Sequence, residues 1–227
     1  MFNPDSIDAL LFDLDGTLMD SDDQAVAALA QRLTRLGFKN PQRAARRFVM
    51  LAETPGNSAL TVLDMVGLDN LFTGLSNRVH RWRGAPSPAN FAIIPGCAEA
   101  VRHLAGRYRL GVVTTRAQRE AEAFLEQFEI RSQFEIVVSR ESTWRIKPHP
   151  APVRYASRAL GLPPERCAMV GDTTVDVLSA RRAGAWAVAV LCGFGELEEL
   201  QRVQAHLILD SPADLPAIMA PAPETSL

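Results

Sequence analysis

Leu10-Leu11-Phe12-Asp13-Leu14-Asp15-Gly16-Thr17-Leu18 decides how this chain is read. Ala9 to Phe12 is an unbroken apolar run, as in a strand covered on both faces rather than one alternating between core and solvent. Asp13 and Asp15 stand two apart, so a strand continuing through them projects both carboxylates to the same side. Gly16 then permits a sharp turn. Two neighbouring carboxylates repel unless a cation or a proton is shared between them, so the pair itself points to a divalent metal. The plainer reading is a strand-to-turn junction capped by aspartate. It does not ask for an apolar strand running straight into Asp-x-Asp-Gly-Thr.

Similar apolar runs recur at Leu110–Val113, Ile136–Val138, Cys167–Val170 and Ala187–Leu191, with Leu207–Leu209 as a short edge strand. Helix-like stretches lie between them: Ala98–Leu104, Glu120–Phe128, Val153–Leu160 and Val175–Ala183. The alternation predicts an α/β fold, a doubly wound, Rossmann-like and mostly parallel sheet. Such sheets gather ligands at the carboxyl ends of their strands. One segment breaks the rhythm. Val26, Leu29, Leu33 and Leu36 follow the capping residues Asp20, Ser21 and Asp22 and stop at Gly37. Pro41 opens a second helix over Gln42–Ala52, and Asn57–Val66 and Asn70–Trp82 make two more. The expected organisation is a core of residues 1–18 and 90–227, with an all-helical cap, residues 19–89, inserted after the first strand. The tail Pro216–Leu227, with its three prolines, is expected to fray.

With 227 residues, 47% of them hydrophobic, the chain can bury a core without staples. Its 24 basic and 26 acidic side chains nearly cancel. No global positive field therefore attracts nucleic acid or anionic lipid. Cys97, Cys167 and Cys192 form no Cys-x-x-Cys pair, which speaks against a disulfide framework or structural zinc and suits a reducing compartment. The most apolar uncharged stretch, Ala183–Gly195, is thirteen residues with three glycines, whereas a membrane span needs about twenty. No basic residue precedes Arg32, so a charged secretory leader is not expected. These features predict a soluble cytoplasmic protein with neither nucleic acid nor membrane as its partner.

Three further places carry chemistry. Thr114 and Thr115 close the run Leu110–Val113, where a hydroxyl can donate to a phosphate oxygen beside backbone N–H groups; threonine is also an ordinary strand residue. Lys147 sits in Lys147-Pro148-His149-Pro150, whose prolines stiffen a helix entry and fix where the lysine points. It reads as a solvated charge or as a point charge for a phosphoryl group. Asp172 follows an apolar strand and Gly171, and Asp176 lies four further on, on the same face of a helix. Simple capping of that helix is the alternative for Asp176. All of these fall at or just beyond predicted strand ends, on one rim.

In that order the motifs resemble those of the haloacid dehalogenase-like hydrolase superfamily, in its phosphoglycolate-phosphatase-like branch with a helical cap. Phe12–Leu18, Thr114, Lys147-Pro148 and Gly171-Asp172-x-x-x-Asp176 match its four motifs. The resemblance implies that Asp13 is the nucleophile forming an aspartyl-phosphate and that Asp15 is the acid and base. It implies that Mg²⁺ is held by Asp13, the backbone carbonyl of Asp15 and Asp172, with Asp176 supporting that shell. Thr114, Thr115 and Lys147 would hold phosphoryl oxygens. Phosphatases of this branch often follow the second-motif threonine with Asn and Lys; here Thr115 and Arg116 stand there, Arg116 keeping the positive charge. Substrate choice is expected in the cap, with Arg43, Arg46 and Arg47 or the cluster Arg78, His80, Arg81 and Arg83 as candidates beside a bland reading as solvated helix faces. The alternatives are a sugar phosphomutase of the same superfamily, which typically carries valine where Thr17 stands, and a non-enzymatic phospho-acceptor module.

Overall fold

The computed structural model describes residues 2–20, 33–34 and 91–220. The chain divides into two compact units, residues 1–21 with 91–227 and residues 22–90. Six strands form one sheet in the first unit: β1 (Ala9–Phe12), β2 (Arg109–Val113), β3 (Ile136–Val138), β4 (Cys167–Gly171), β5 (Trp186–Val190) and β6 (Leu207–Leu209). Their order is β3-β2-β1-β4-β5-β6, and every neighbouring pair is parallel. Helices α1 (Cys97–Ala105), α2 (Gln118–Gln127), α3 (Ala151–Ala159), α4 (Thr174–Ala183), α5 (Leu197–Arg202) and α6 (Leu215–Ile218) complete the unit among the described residues.

The unbroken apolar runs are explained by burial on both faces. Leu10 and Phe12 of β1 pack in one layer with Val101 and Leu104 of α1 and Ala121, Phe124 and Leu125 of α2. Ala9 and Leu11 point the other way, into a layer with Val153 and Ala156 of α3 and Val177 and Ala180 of α4. Every residue of β1 is buried, as a strand sandwiched between helix layers requires. The chain builds outward from β1 through β2 to β3, then returns to the other side of β1 with β4, β5 and β6. The carboxyl ends of β1 and β4 therefore flank the point where the winding reverses, where such sheets open a crevice.

The chain leaves and re-enters this unit at adjacent points. Met19 bridges to Ile93, Asp20 N–H donates to Ala92 O at 2.9 Å, and Ile94 N–H donates to Leu18 O at 2.9 Å. The helices expected between residues 19 and 89 lie outside the described residues, apart from Leu33 and Thr34, which are helical. Among the described residues no helix is long and apolar enough to cross a membrane.

The tail corrects the sequence reading in part. Residues expected to fray from Pro216 instead complete α6 and dock. Leu215 and Met219, four apart, are both buried against α1 and its neighbours, and Met219 O accepts from Arg107 Nη1 at 2.8 Å and Tyr108 Oη at 3.0 Å. Proline at the second position costs no hydrogen bond there, so it starts this helix rather than breaking it. Residues 221–227 are outside the described set.

Replacing Leu10, fully buried in the central strand, by alanine is expected to cost about 3 kcal/mol. That lowers the melting temperature by roughly 6–12 °C for a chain of this size. Trp144→Ala, at a side chain 90% exposed, should stay within about 0.5 kcal/mol of the parent. Urea denaturation of both variants checks the contrast.

Candidate active site

Three aspartates meet where β1 and β4 end. Asp13 extends the β1 ladder by one residue, its N–H donating to Val170 O at 2.9 Å. Asp172 follows β4 directly, and Asp176 lies in the first turn of α4. All three are buried, and one carboxylate oxygen from each lies within 4.8 Å of the others. Lys147 reaches in from the loop before α3 and is itself only 3% exposed. Its Nζ lies 2.8 Å from Asp13 Oδ1 and 2.6 Å from Asp176 Oδ1, and it donates to Val113 O at 3.0 Å. The solvated reading of this lysine is thereby excluded.

Each carboxylate is oriented by a different device. Asp176 Oδ2 accepts from the Thr173 N–H at 3.0 Å and from its hydroxyl at 2.5 Å, so Asp176 caps α4 and faces Lys147 at once. The two readings of that residue do not compete. Asp172 Oδ2 accepts from the Phe194 N–H at 2.7 Å, and its Oδ1 from the Thr17 hydroxyl at 3.4 Å. Backbone crowds Asp172 so closely that two neighbours have no room for a side chain. A Cβ at Gly16, whose φ is +68°, would sit 2.4 Å from Asp172 Oδ2, and one at Gly193 would sit 2.2 Å from it. The turn after β1 and the loop after β5 thus form a glycine-lined cradle for one carboxylate.

Three carboxylates against one ammonium leave a formal excess of two negative charges in a buried space. Burial pushes Asp13 up to about 7; Lys147 opposes this, while Asp176 and Asp15 add to it. Asp172 is also driven well above the usual carboxylate range, by burial first and then by Asp176 and Asp13. For Lys147 burial disfavours the charge, but Asp13 and Asp176 together outweigh it and hold the ammonium above its ordinary value. The contact with Asp13 lacks hydrogen-bond geometry, so Asp13 Oδ1 is buried close to a cation yet accepts no hydrogen bond. An all-oxygen donor set with surplus negative charge and an orphaned oxygen is what a hard divalent cation binds. The residues present fit such an ion.

The rim continues at β2. Thr114 is buried, its N–H donates to Val138 O at 2.9 Å, and its hydroxyl oxygen accepts from the Arg116 N–H at 3.1 Å. That hydroxyl keeps its own proton to donate. Thr115, next to it, is half-buried. Asp15 turns its carboxylate to Arg116: Nε donates to Oδ1 and Oδ2 at 2.8 Å each, and Nη2 to Oδ1 at 2.5 Å. The charge expected at Arg116 is present, but it faces Asp15. Sequence reasoning missed the Phe194 N–H and Gly193; their only signal was the glycine pair around Phe194, which does not say what approaches it. Arg43, Arg46 and Arg47, with Arg78, His80, Arg81 and Arg83, lie outside the described residues.

Residues 10–190 match the family model described as haloacid dehalogenase-like hydrolase. The chain belongs to that family. Among curated relatives, this haloacid dehalogenase-like hydrolase is 27% identical over 222 residues to the phosphoglycolate phosphatase of Nitrosococcus oceani, covering 94% of this chain and 96% of that one. It is 27% identical over 216 residues to a pyrophosphatase, PpaX, of Bacillus cereus, covering 94% and 97%. A solved haloacid dehalogenase-like hydrolase from Streptococcus pneumoniae superposes with a TM-score of 0.71 at 25% identity, over 95% of this chain and all of that one.

The site makes stability depend on pH and metal together. A carboxyl whose folded-state value is raised, as at Asp13, destabilises the fold progressively as pH climbs from about 4 through about 7, because the unfolded chain gives up that proton first. A divalent cation held by the deprotonated cluster would relieve this. Mg²⁺ is therefore expected to raise the melting temperature more at about pH 7.5 than at about pH 5. Asp172→Asn should remove most of the Mg²⁺ response. Differential scanning fluorimetry with and without the ion measures both; an equal response at the two pH values would contradict the linkage.

Proposed function

We propose that this chain is a Mg²⁺-dependent phosphatase that hydrolyses a small, phosphoglycolate-like phosphomonoester through an aspartyl-phosphate. The observation that carries the reading is the buried trio Asp13, Asp172 and Asp176, with Lys147 Nζ 2.8 Å from Asp13 and 2.6 Å from Asp176. A phosphate dianion repels a carboxylate nucleophile, so the attack needs positive charge in place beforehand. Asp13, Asp172 and the Asp15 carbonyl would hold Mg²⁺, with Asp176 supporting them. When bound, the ion supplies charge neutralisation for the nucleophile and the phosphoryl oxygens.

Asp13 supplies the attacking oxygen. Its bond to phosphorus forms as the bond to the leaving oxygen breaks, and Asp15, entering this step as the protonated acid, gives that oxygen its proton and is left a carboxylate. Asp15, now a carboxylate, takes a proton from water as the water oxygen attacks the aspartyl-phosphate, releasing phosphate and Asp13. Thr114 and Thr115 donate to phosphoryl oxygens, and Lys147 adds the fixed positive charge beside them. The phosphoryl group is largely dissociated from both neighbours at the transition state, so positioning and charge carry most of the rate.

The relatives named phosphoglycolate phosphatase and pyrophosphatase support hydrolysis of a small phosphate compound. Thr17 supports a hydrolase over a phosphomutase, which typically carries valine at that position. Residues 19–89 serve in this reading as the helical cap, with Arg43, Arg46 and Arg47 as its specificity residues. Three free thiols suit work in the cytoplasm, and the reading takes the chain as a monomer or homodimer.

A phosphate-release screen over phosphorylated metabolites with Mg²⁺ tests the reading. Asp13→Asn should lower turnover by about 10⁴-fold or more. The same variant should melt no lower than the parent without metal, because one of three mutually repelling carboxylates becomes neutral. Turnover near the parent value, in a preparation shown free of contaminating phosphatase, removes Asp13 as nucleophile.

A further inference from the structure

Arg116 is fixed at both ends of its own residue. Its N–H donates to Thr114 Oγ1 at 3.1 Å, and its carbonyl accepts from the Arg140 N–H at 3.1 Å. The guanidinium is thereby aimed along the rim at Asp15, whose two oxygens it grips through Nε and Nη2. Nη1 lies 3.6 Å from Glu120, in the first turn of α2. The guanidinium therefore already holds one carboxylate in a forked grip and has a second beside it. Its side chain is 24% exposed, whereas Lys147 is 3% exposed and committed to Asp13, Asp176 and Val113 O. Lys147 cannot extend to a second anion on a substrate; Arg116 stands where it can.

We infer that Arg116 is a specificity-determining residue, recognising a second anionic group, carboxylate or phosphate, close to the scissile oxygen of the substrate. The inference rests on the phosphatase reading, which puts Asp15 at the leaving oxygen and hence its partner Arg116 on the leaving-group side of phosphorus. The planar fork matches carboxylate and phosphate alike, and an arriving anion exchanges with part of the grip that Arg116 now has on Asp15. Exchange of one oxyanion partner for another at a part-exposed site costs far less than uncovering a buried charge. A neutral sugar or alkyl leaving group offers Arg116 nothing in exchange. The site would thus favour compact substrates with two anionic ends.

The test compares phosphoglycolate with ethyl phosphate, which lacks the carboxylate, on the full chain with Mg²⁺. The parent should prefer phosphoglycolate. In Arg116→Gln, kcat/KM should fall on both substrates through the lost grip on Asp15, and about 10- to 100-fold further on phosphoglycolate than on ethyl phosphate, the excess lying in KM. Arg116→Lys, which keeps the charge without the fork, should fall between; it carries the same ratio if the glutamine variant does not fold. An equal fall on both substrates overturns the inference, since Arg116 would then act only through Asp15. No fall on either overturns it too. Absence of phosphate release from any substrate by the parent sinks the phosphatase reading instead. In that event, calorimetric binding of phosphoglycolate to Asp13→Asn with and without Arg116→Gln still reads the contact, and equal affinity overturns it.

Discussion

Everything around the rim answers to one electrostatic problem: among the described residues, three carboxylates share a buried space with a single ammonium. Lys147 lies between Asp13 and Asp176 and offsets part of the repulsion, but it cannot neutralise all three. The remaining charge is met by donors that cost no net charge, chiefly the Phe194 N–H on Asp172 and the Thr173 N–H and hydroxyl on Asp176. Asp13 is left with an oxygen that no hydrogen bond satisfies. A fold does not retain such an arrangement for stability, because replacing buried ions by apolar groups is often neutral or favourable. What the arrangement offers is an all-oxygen set of negative charge suited to a divalent cation.

The sheet makes this possible by its order of assembly. β1 and β4 lie side by side although more than 150 residues separate them, so the residues that follow each are neighbours without long side chains having to reach. Asp13, Thr114 and Asp172 each stand one residue past a buried strand, and the N–H groups of Asp13 and Thr114 still bond to the neighbouring strand. Burial of β1 on both faces then sets the low dielectric that raises Asp13 and Asp172. Packing and chemistry are coupled through this one strand.

The parts legible in the sequence are those where period and residue type carry the information. Continuous apolar runs located all six strands within about a residue, and Ile136–Val138 and Leu207–Leu209 match the strand bounds. Asp13, Lys147, Asp172 and Asp176 were legible because charge at the end of an apolar strand, or stiffened by proline, has few structural uses. What stayed hidden depends on backbone groups and on distance. The donor on Asp172 is the N–H of Phe194, which every residue but proline possesses, so its position is set by tertiary approach alone. α6 was hidden because proline suggested a loose tail, while its anchor is the packing of Leu215 and Met219. The grip of Arg116 on Asp15 spans 101 residues of sequence, and nothing local announces it.

The two cations of the rim differ in kind, and the difference follows from where each sits. Lys147 is buried, and an ammonium is a compact point charge that can sit between two carboxylates without a preferred plane. A guanidinium in that place would need five donors satisfied in fixed directions, where the described neighbours offer Asp13, Asp176 and one carbonyl. At the half-open edge beside β2 the requirement reverses. There a planar fork can hold one carboxylate and meet another at its side without full desolvation, which a lysine cannot do with the same geometric discrimination. The buried cation is therefore suited to constant charge compensation, and the part-exposed one to exchange. On the proposed reading, that division would let the nucleophile be stabilised continuously while the substrate's identity is read at the edge.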